Sequence, residues 1–263
     1  MVDGMDIIKE RLDGKNMTII YFSATGNSKY VALRLAKDNG KLLFIPDLMK
    51  SDSFDFYDDV IGIISPTYFW GLPSLVKDFL SKATFNANYI YFVATYGTTP
   101  GASGKIANKL IKGKKIDSFY SIRMVDTYTP IFDISTKEKR DRFLKHTEQQ
   151  IDDVIDSIAK KECKKRMKRQ LPKFLVDIIA EPIYENKKRL TSRFLVNEKC
   201  IGCGLCARKC PINAIEMKDK KPVWVKDKCV MCLGCLHRCP KFAIECGKKS
   251  KKHGQYQNPY TKI

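Results

Sequence analysis

The sequence predicts an α/β fold, a doubly wound parallel five-stranded sheet, followed by a small α+β module built around cysteines. Three observations predict it. Short apolar runs rich in β-branched and aromatic residues alternate with amphipathic stretches over roughly the first 160 residues, the pattern of strands joined by helices on both faces of a parallel sheet. All ten cysteines follow that region, nine of them between Cys200 and Cys246. Charge divides at the same place. Residues 1–159 hold 21 Lys and Arg against 20 Asp and Glu, whereas residues 160–263 hold 27 against 9, so nearly all of the net +19 lies in the second region.

The first 16 residues are partly acidic and lack the apolar stretch of a secretory signal. No segment of the chain approaches the roughly 18 apolar residues of a membrane helix, and a cytoplasmic location is expected. Residues 17–22 (MTIIYF) read as a buried strand. Ser23, Ala24, Thr25, Gly26, Asn27 and Ser28 follow at once, and Tyr30, Val31, Leu33, Leu35 and Ala36 then mark an amphipathic helix. Strand, hydroxyl-rich turn and helix N-terminus together suit a phosphate, which unpaired N–H groups and the positive dipole end attract. With no Lys and one glycine, the turn is neither a Walker A loop nor a GxGxxG fingerprint. An ordinary Ser/Thr helix cap is the alternative reading.

Residues 41–45 form the second predicted strand and residues 60–65 the third. The loop Pro66-Thr67-Tyr68-Phe69-Trp70-Gly71-Leu72-Pro73 comes next, then a helix over 74–81. The fourth strand, 89–95, leads into Tyr96-Gly97-Thr98-Thr99-Pro100-Gly101 and a helix near 103–111. Residues 116–124 complete the sheet, and one long helix is expected over 136–160. Loops after the first, third and fourth strands lie at carboxyl ends, where such sheets bind ligands. Residues 160–169 are a basic run. Phe174, Leu175, Ile178, Ile179 and Ile183 then recur at helical spacing, predicting a connector whose apolar stripe packs on one domain.

Cys200, Cys203, Cys206 and Cys210 read C-x2-C-x2-C-x3-C before Pro211, and Cys229, Cys232, Cys235 and Cys239 repeat this before Pro240 at an offset of 29. Ala214-Ile215-Glu216 and Ala243-Ile244-Glu245 share that offset, so the unit is duplicated. A cubane cluster needs four thiolates at its iron corners, and three closely spaced cysteines wrap one side of it. The fourth ligand then comes from the other repeat. One cluster is expected on Cys200, Cys203, Cys206 and Cys239, the other on Cys229, Cys232, Cys235 and Cys210. Structural zinc sites use well-separated cysteine pairs instead. Cys163 and Cys246 fall outside the pattern and are read as free thiols.

Residues 194–247 resemble a bacterial ferredoxin with two 4Fe-4S clusters. The turn at 23–28 matches the S/T-x-T-G-x-S/T FMN-phosphate loop of flavodoxins at each defined position. Across about residues 16–250 the chain resembles the EFR1-type flavodoxin–ferredoxin fusions of anaerobic bacteria and archaea. The resemblance implies a flavodoxin-like domain over 16–160, a basic amphipathic linker over 161–193, a ferredoxin-like bicluster domain over 194–247 and a basic, loosely ordered tail over 248–263. It places FMN against Ser23, Thr25, Gly26, Asn27, Ser28, Pro66, Thr67, Tyr68, Trp70, Gly71, Thr95, Tyr96, Gly97 and Thr98, with Tyr96 and one aromatic of 68–70 sandwiching the ring. The two ring loops carry no charged side chain, so little like-charge repulsion is expected around a reduced flavin.

The function implied is electron transfer, with single electrons relayed between two 4Fe-4S clusters and FMN in anaerobic metabolism. The alternatives are a ferredoxin-dependent reductase of flavin or a small molecule, and a redox sensor that binds a macromolecule through the basic half. A carrier is favoured over an enzyme because no loop announces a substrate pocket. Redox partner proteins with acidic surfaces suit the basic charge. Nucleic acid is disfavoured, since no recognised motif or stacking platform is present. Peripheral membrane contact through the basic amphipathic connector is a secondary reading.

Overall fold

The structure, a computed structural model, describes residues 16–37 and 40–263. The reading of the N-terminal 15 residues lies outside the described residues. The first region is a parallel sheet of β1 (Met17–Tyr21), β2 (Gly40–Phe44), β3 (Asp55–Pro66), β4 (Thr84–Tyr96), β5 (Lys112–Gly113) and β6 (Ser118–Arg123). The order is β2-β1-β3-β4, with β5 and β6 both on the free edge of β4. These two occupy one position in two pieces: β5 pairs with Thr84 and Phe85, β6 with Tyr91 through Tyr96. The sheet therefore has the five predicted positions, in flavodoxin-like order.

Alternation along the strands sends side chains to two apolar layers. Ile20, Ile61, Ile63 and Phe92 meet α3 (Ser74–Lys82) and α4 (Ser103–Leu110) through Phe79, Leu80 and Ile106. Ile19, Ile64, Tyr91 and Val93 meet α1 (Asn27–Ala36) and α6 (Thr147–Ala159) through Val31, Leu35, Ile151 and Val154. A short α2 (Ile45–Leu48) follows β2. No helix among the described residues is long and apolar enough to cross a membrane.

The single helix expected over 136–160 is two helices, α5 (Lys137–Leu144) and α6. The break has a local cause. The Thr147 hydroxyl donates to the Arg123 carbonyl at 2.7 Å and the Gln150 side chain accepts from the Arg123 N–H at 3.0 Å. Both bonds tie the start of α6 to the end of β6. The polar α5 buries Phe143 alone.

The connector differs from its expected stripe. Its helix alternates α turns with π-helical turns at Val176–Ala180 and Tyr184–Lys188. Val176, Ala180 and Tyr184 are buried, whereas Phe174, Ile178, Ile179 and Ile183 are exposed. The buried positions keep the four-residue spacing of one helix face, but the face turned inward is not the one that carries Phe174 and Ile178. Lys77 fixes that face by pairing with Glu181 and Glu185. The Tyr184 hydroxyl donates to the Val230 carbonyl at 2.7 Å and accepts from the Ser74 N–H at 3.3 Å.

The cysteine-rich half forms two antiparallel pairs, β7 (Phe194–Val196) with β10 (Ile244–Cys246) and β8 (Ile215–Lys218) with β9 (Lys221–Trp224). Phe194 stacks on Trp224 with ring centroids 4.8 Å apart. The tail is not loose. Ser250, Tyr256 and Asn258 are buried, and the Ile134 N–H donates to the His253 carbonyl at 3.0 Å. Composition hid this because the tail's polar groups are paired with protein instead of water.

Candidate cofactor site

The carboxyl ends of β1, β3, β4 and β6 surround a cavity of about 300 Å3. Ser23, Thr25, Asn27, Ser28, Pro66, Thr67, Tyr68, Trp70, Thr95, Tyr96, Gly97 and Thr98 line it, so three loops far apart in sequence converge. Gly26 and Gly71 do not line it; each shapes the backbone behind. Gly26 sits at φ 95° and starts α1, a left-handed conformation that glycine adopts without cost. No side chain caps α1 among the described residues, leaving its first N–H groups for an anion. The Gly26 N–H donates to Ser23 Oγ at 3.2 Å, and the Ser28 and Thr95 hydroxyls lie 2.8 Å apart. These features fit a phosphate. The Asn27 side chain is already used: Nδ2 donates to the Val125 carbonyl at 3.0 Å, and Oδ1 accepts from the Tyr256 hydroxyl at 3.1 Å and from Asn258 Nδ2 at 3.3 Å. Its backbone N–H remains for a ligand.

The β3 loop closes through an unusual turn. Tyr68 and Gly71 exchange backbone hydrogen bonds of 3.0 and 2.9 Å, and the two residues between them, Phe69 and Trp70, have φ of 47° and 64°. Positive φ at both centres is the type I′ pattern that favours Asn-Gly. Bulky residues there carry strain of about 1–3 kcal/mol each, which persists where surrounding contacts over-determine it. The contacts are present. The Ala102 N–H donates to the Trp70 carbonyl at 2.7 Å, an approach open because Gly101 has no Cβ to strike that carbonyl. Phe69 stacks on Tyr184 at 5.4 Å and meets Tyr128 edge-on at 5.1 Å. Trp70 stays 40% exposed at the cavity mouth. Tyr68, Trp70 and Tyr96 all present aromatic surface to the cavity, which suits a flat ring.

Residues outside the expected set complete the walls. The segment after β6 contributes Val125, Asp126, Tyr128, Ile131 and Phe132; the connector adds Ile179, Ala180 and Ile183; the second cysteine loop adds Met231, Cys232 and Leu233. The β6 segment was findable, because it too leaves a carboxyl end of the sheet. Asp126 corrects the uncharged picture drawn from the two ring loops. Burial raises its carboxyl to about 6, although bonds from the Tyr128 N–H and Thr98 hydroxyl pull the other way.

The eight patterned cysteines fall into two sets around small voids. Cys200, Cys203, Cys206 and Cys239 surround one; Cys210, Cys229, Cys232 and Cys235 surround the other. Each set takes its fourth member from the opposite repeat. Backbone N–H groups point at the sulfurs in register with the duplication: Ala214 to Cys210 and Ala243 to Cys239, both at 3.3 Å, besides Met231 to Cys229 at 3.2 Å. Such bonds favour thiolate. Burial opposes it and pushes the Cys229 thiol up to about 12, with the Cys232 charge adding to the shift. Crowded thiols with N–H donors and apolar walls fit an iron–sulfur cluster, whose irons compensate the thiolate charge. Cys246, outside the sets, is buried against Met231, while Cys163 is exposed.

Two family models each match one part of the chain. A family described as a flavodoxin domain matches residues 18–126, and one described as a 4Fe-4S dicluster domain matches residues 194–240. No curated protein shows significant similarity. Among solved structures, a flavoprotein in complex with FMN from Lactobacillus acidophilus is 15% identical, covering 41% of this chain and 93% of its own, with a TM-score of 0.31. A flavodoxin from the domain Archaea is 12% identical over 55% of this chain and 99% of its own, TM-score 0.25. Rubredoxin oxygen:oxidoreductase from the anaerobe Desulfovibrio gigas is 16% identical over 56% of this chain and 38% of its own, TM-score 0.28.

Proposed function

We propose that this flavodoxin–ferredoxin fusion, an iron–sulfur flavoprotein of electron transfer, relays single electrons between two 4Fe-4S clusters and one FMN within a single chain, in anaerobic metabolism and without a substrate of its own. The observation that carries the proposal is the position of Cys232. Its side chain belongs to the second thiol set and also lines the cavity between the β1, β3 and β4 loops. A cluster and a flavin in these places share one residue as a wall. Bound FMN would supply a centre that holds one or two electrons, linking one-electron donors to two-electron acceptors. The set containing Cys232 is then proximal to the flavin, and the set containing Cys200 lies one step further out.

The residues divide the work. Ser23, Thr25, Ser28 and the N-terminus of α1 take the phosphate; Tyr68, Trp70 and Tyr96 take the ring. Met231, Cys232 and Leu233 roof the ring and exclude water from the path between centres. Tyr184 and Phe69 pack the modules together, so transfer needs no encounter between molecules. The physiological partner is a redox protein with an acidic face, drawn to the basic second half. Reduction of a small molecule at the flavin is the second reading, favoured by Asp126, the one carboxyl group on the cavity wall among the described residues, which is placed to exchange a proton there.

Air-free purification with cofactor counting tests the proposal. About eight iron, eight sulfide and one FMN per chain are expected, with flavin bleaching that follows cluster reduction at a rate independent of protein concentration. A concentration-dependent rate overturns the relay within one chain.

A further inference from the structure

We infer that residues 255–261, at the far end of the cysteine-rich half, position the phosphate loop of the first half and so control FMN affinity. The inference rests on the FMN reading above and extends it to residues remote in sequence.

The loop and the segment touch along their backbones. The Asn258 N–H donates to the Thr25 carbonyl at 2.8 Å, and the Thr261 hydroxyl reaches the Gly26 carbonyl at 3.5 Å. A Cβ on Gly26 would strike the Thr261 side chain and lie 2.8 Å from Asn258 Cβ. Asn27 is the joint. Its carboxamide oxygen accepts from Tyr256 and Asn258, and its amide group donates to Val125. Two acceptor positions and a donor on one short side chain are what Asn offers; Asp lacks the donor and Ser the reach. Asn27 is 8% exposed, Tyr256 7% and Asn258 4%, so water does not compete for these bonds. No residue of 255–261 lines the cavity. The segment braces the loop from behind and leaves the ligand's space open.

The other end of the segment is fastened to the second cysteine loop. Gln255 Nε2 donates to the carbonyls of Leu236 at 2.6 Å and Cys239 at 2.9 Å, and the Tyr256 N–H donates to His237 Nδ1 at 3.2 Å. That bond leaves the proton on Nε2, which donates to the Thr127 carbonyl at 2.8 Å. A short stretch of chain thus ties the cysteine loop, the β6 segment and the phosphate loop together. A phosphate loop holds several N–H dipoles pointing the same way before any anion arrives, and uncapped helix starts do this at a cost. Bracing the loop in its bound shape removes part of that cost from binding. By reciprocity, a ligand in the loop must also steady the segment.

FMN titration of the anaerobic, cluster-loaded chain provides the test. Asn258→Ala is expected to weaken FMN about tenfold and Tyr256→Phe about threefold, the scale of one hydrogen bond each, with iron and sulfide content unchanged. In the unaltered chain, hydrogen exchange at the Asn258 amide should slow when FMN is added. FMN binding by both variants as tight as by the parent, or exchange indifferent to FMN, overturns the inference and leaves the FMN reading intact. A cluster-loaded parent that binds no FMN overturns both.

Discussion

Asp126 shows how one side chain can set a pH response. Its carboxyl, raised by burial to about 6, ionises near 3.9 in an unfolded chain. Between these values the folded state binds more protons, so stability falls as pH rises through the window, and the penalty is complete above about pH 6. Asp126→Asn keeps the bond from the Tyr128 N–H, 3.1 Å in the parent, and removes the charge. It should stabilise the fold at pH 7.5 by no more than about 2 kcal/mol, because part of the side chain faces the open cavity, seen as a higher melting temperature there, with the gain gone by pH 4. Equal gains at both pH values would show that the charge is irrelevant. Cys239 supplies a second test at this scale. It belongs by sequence to the second repeat and by position to the set of Cys200, Cys203 and Cys206. Cys239→Ser should cost the cluster of that set first, and iron analysis with the spectrum of the surviving cluster distinguishes this from loss at Cys229, Cys232 and Cys235.

Among the elements, the Tyr68–Gly71 turn and the connector helix are where sequence and structure part. The place of the 23–28 turn on the cavity wall was legible because it joins a strand's carboxyl end to a helix start. The grouping of the cysteines was legible because the duplicated spacing sets each fourth cysteine beside the opposite triplet. The turn at Phe69 and Trp70 was not, since nothing in Tyr-Phe-Trp-Gly announces two left-handed aromatics; tertiary contacts to Tyr184 and Gly101 impose them. The connector's buried face was missed for a related reason. Apolar residues at helical spacing single out Phe174, Ile178 and Ile179, whereas the Lys77 pairings and the Tyr184 hydroxyl bond hold the face with Val176, Ala180 and Tyr184 inward. Two variants test these elements. Trp70→Gly relieves strain of about 1 kcal/mol while removing a ring face, so FMN affinity should fall with no loss of thermal stability. Tyr184→Phe leaves the Val230 carbonyl without its partner and should cost about 1–3 kcal/mol in denaturant unfolding; a null effect would mean that the modules are held together elsewhere.

At the scale of the molecule, two kinds of transfer should respond differently to salt. The net charge of +19 lies mostly in the second half, and attraction to an acidic donor acts across solvent, where ions screen it within about 10 Å at 0.1 M. Reduction by an acidic ferredoxin should therefore slow steeply with ionic strength. The step proposed across Cys232 runs within one chain and should change little. If both steps slow together, the modules separate between turnovers. The interleaving of Cys210 and Cys239 has a consequence for damage and repair. Each half of the duplication lends a sulfur to the other, so with both proposed clusters in place oxidation of either borrowed thiol would strip one inorganic core while loosening the peptide that grips its neighbour. Oxygen injury should accordingly begin at one core and then weaken the grip on the other, so that half-filled molecules form first and decay to empty ones.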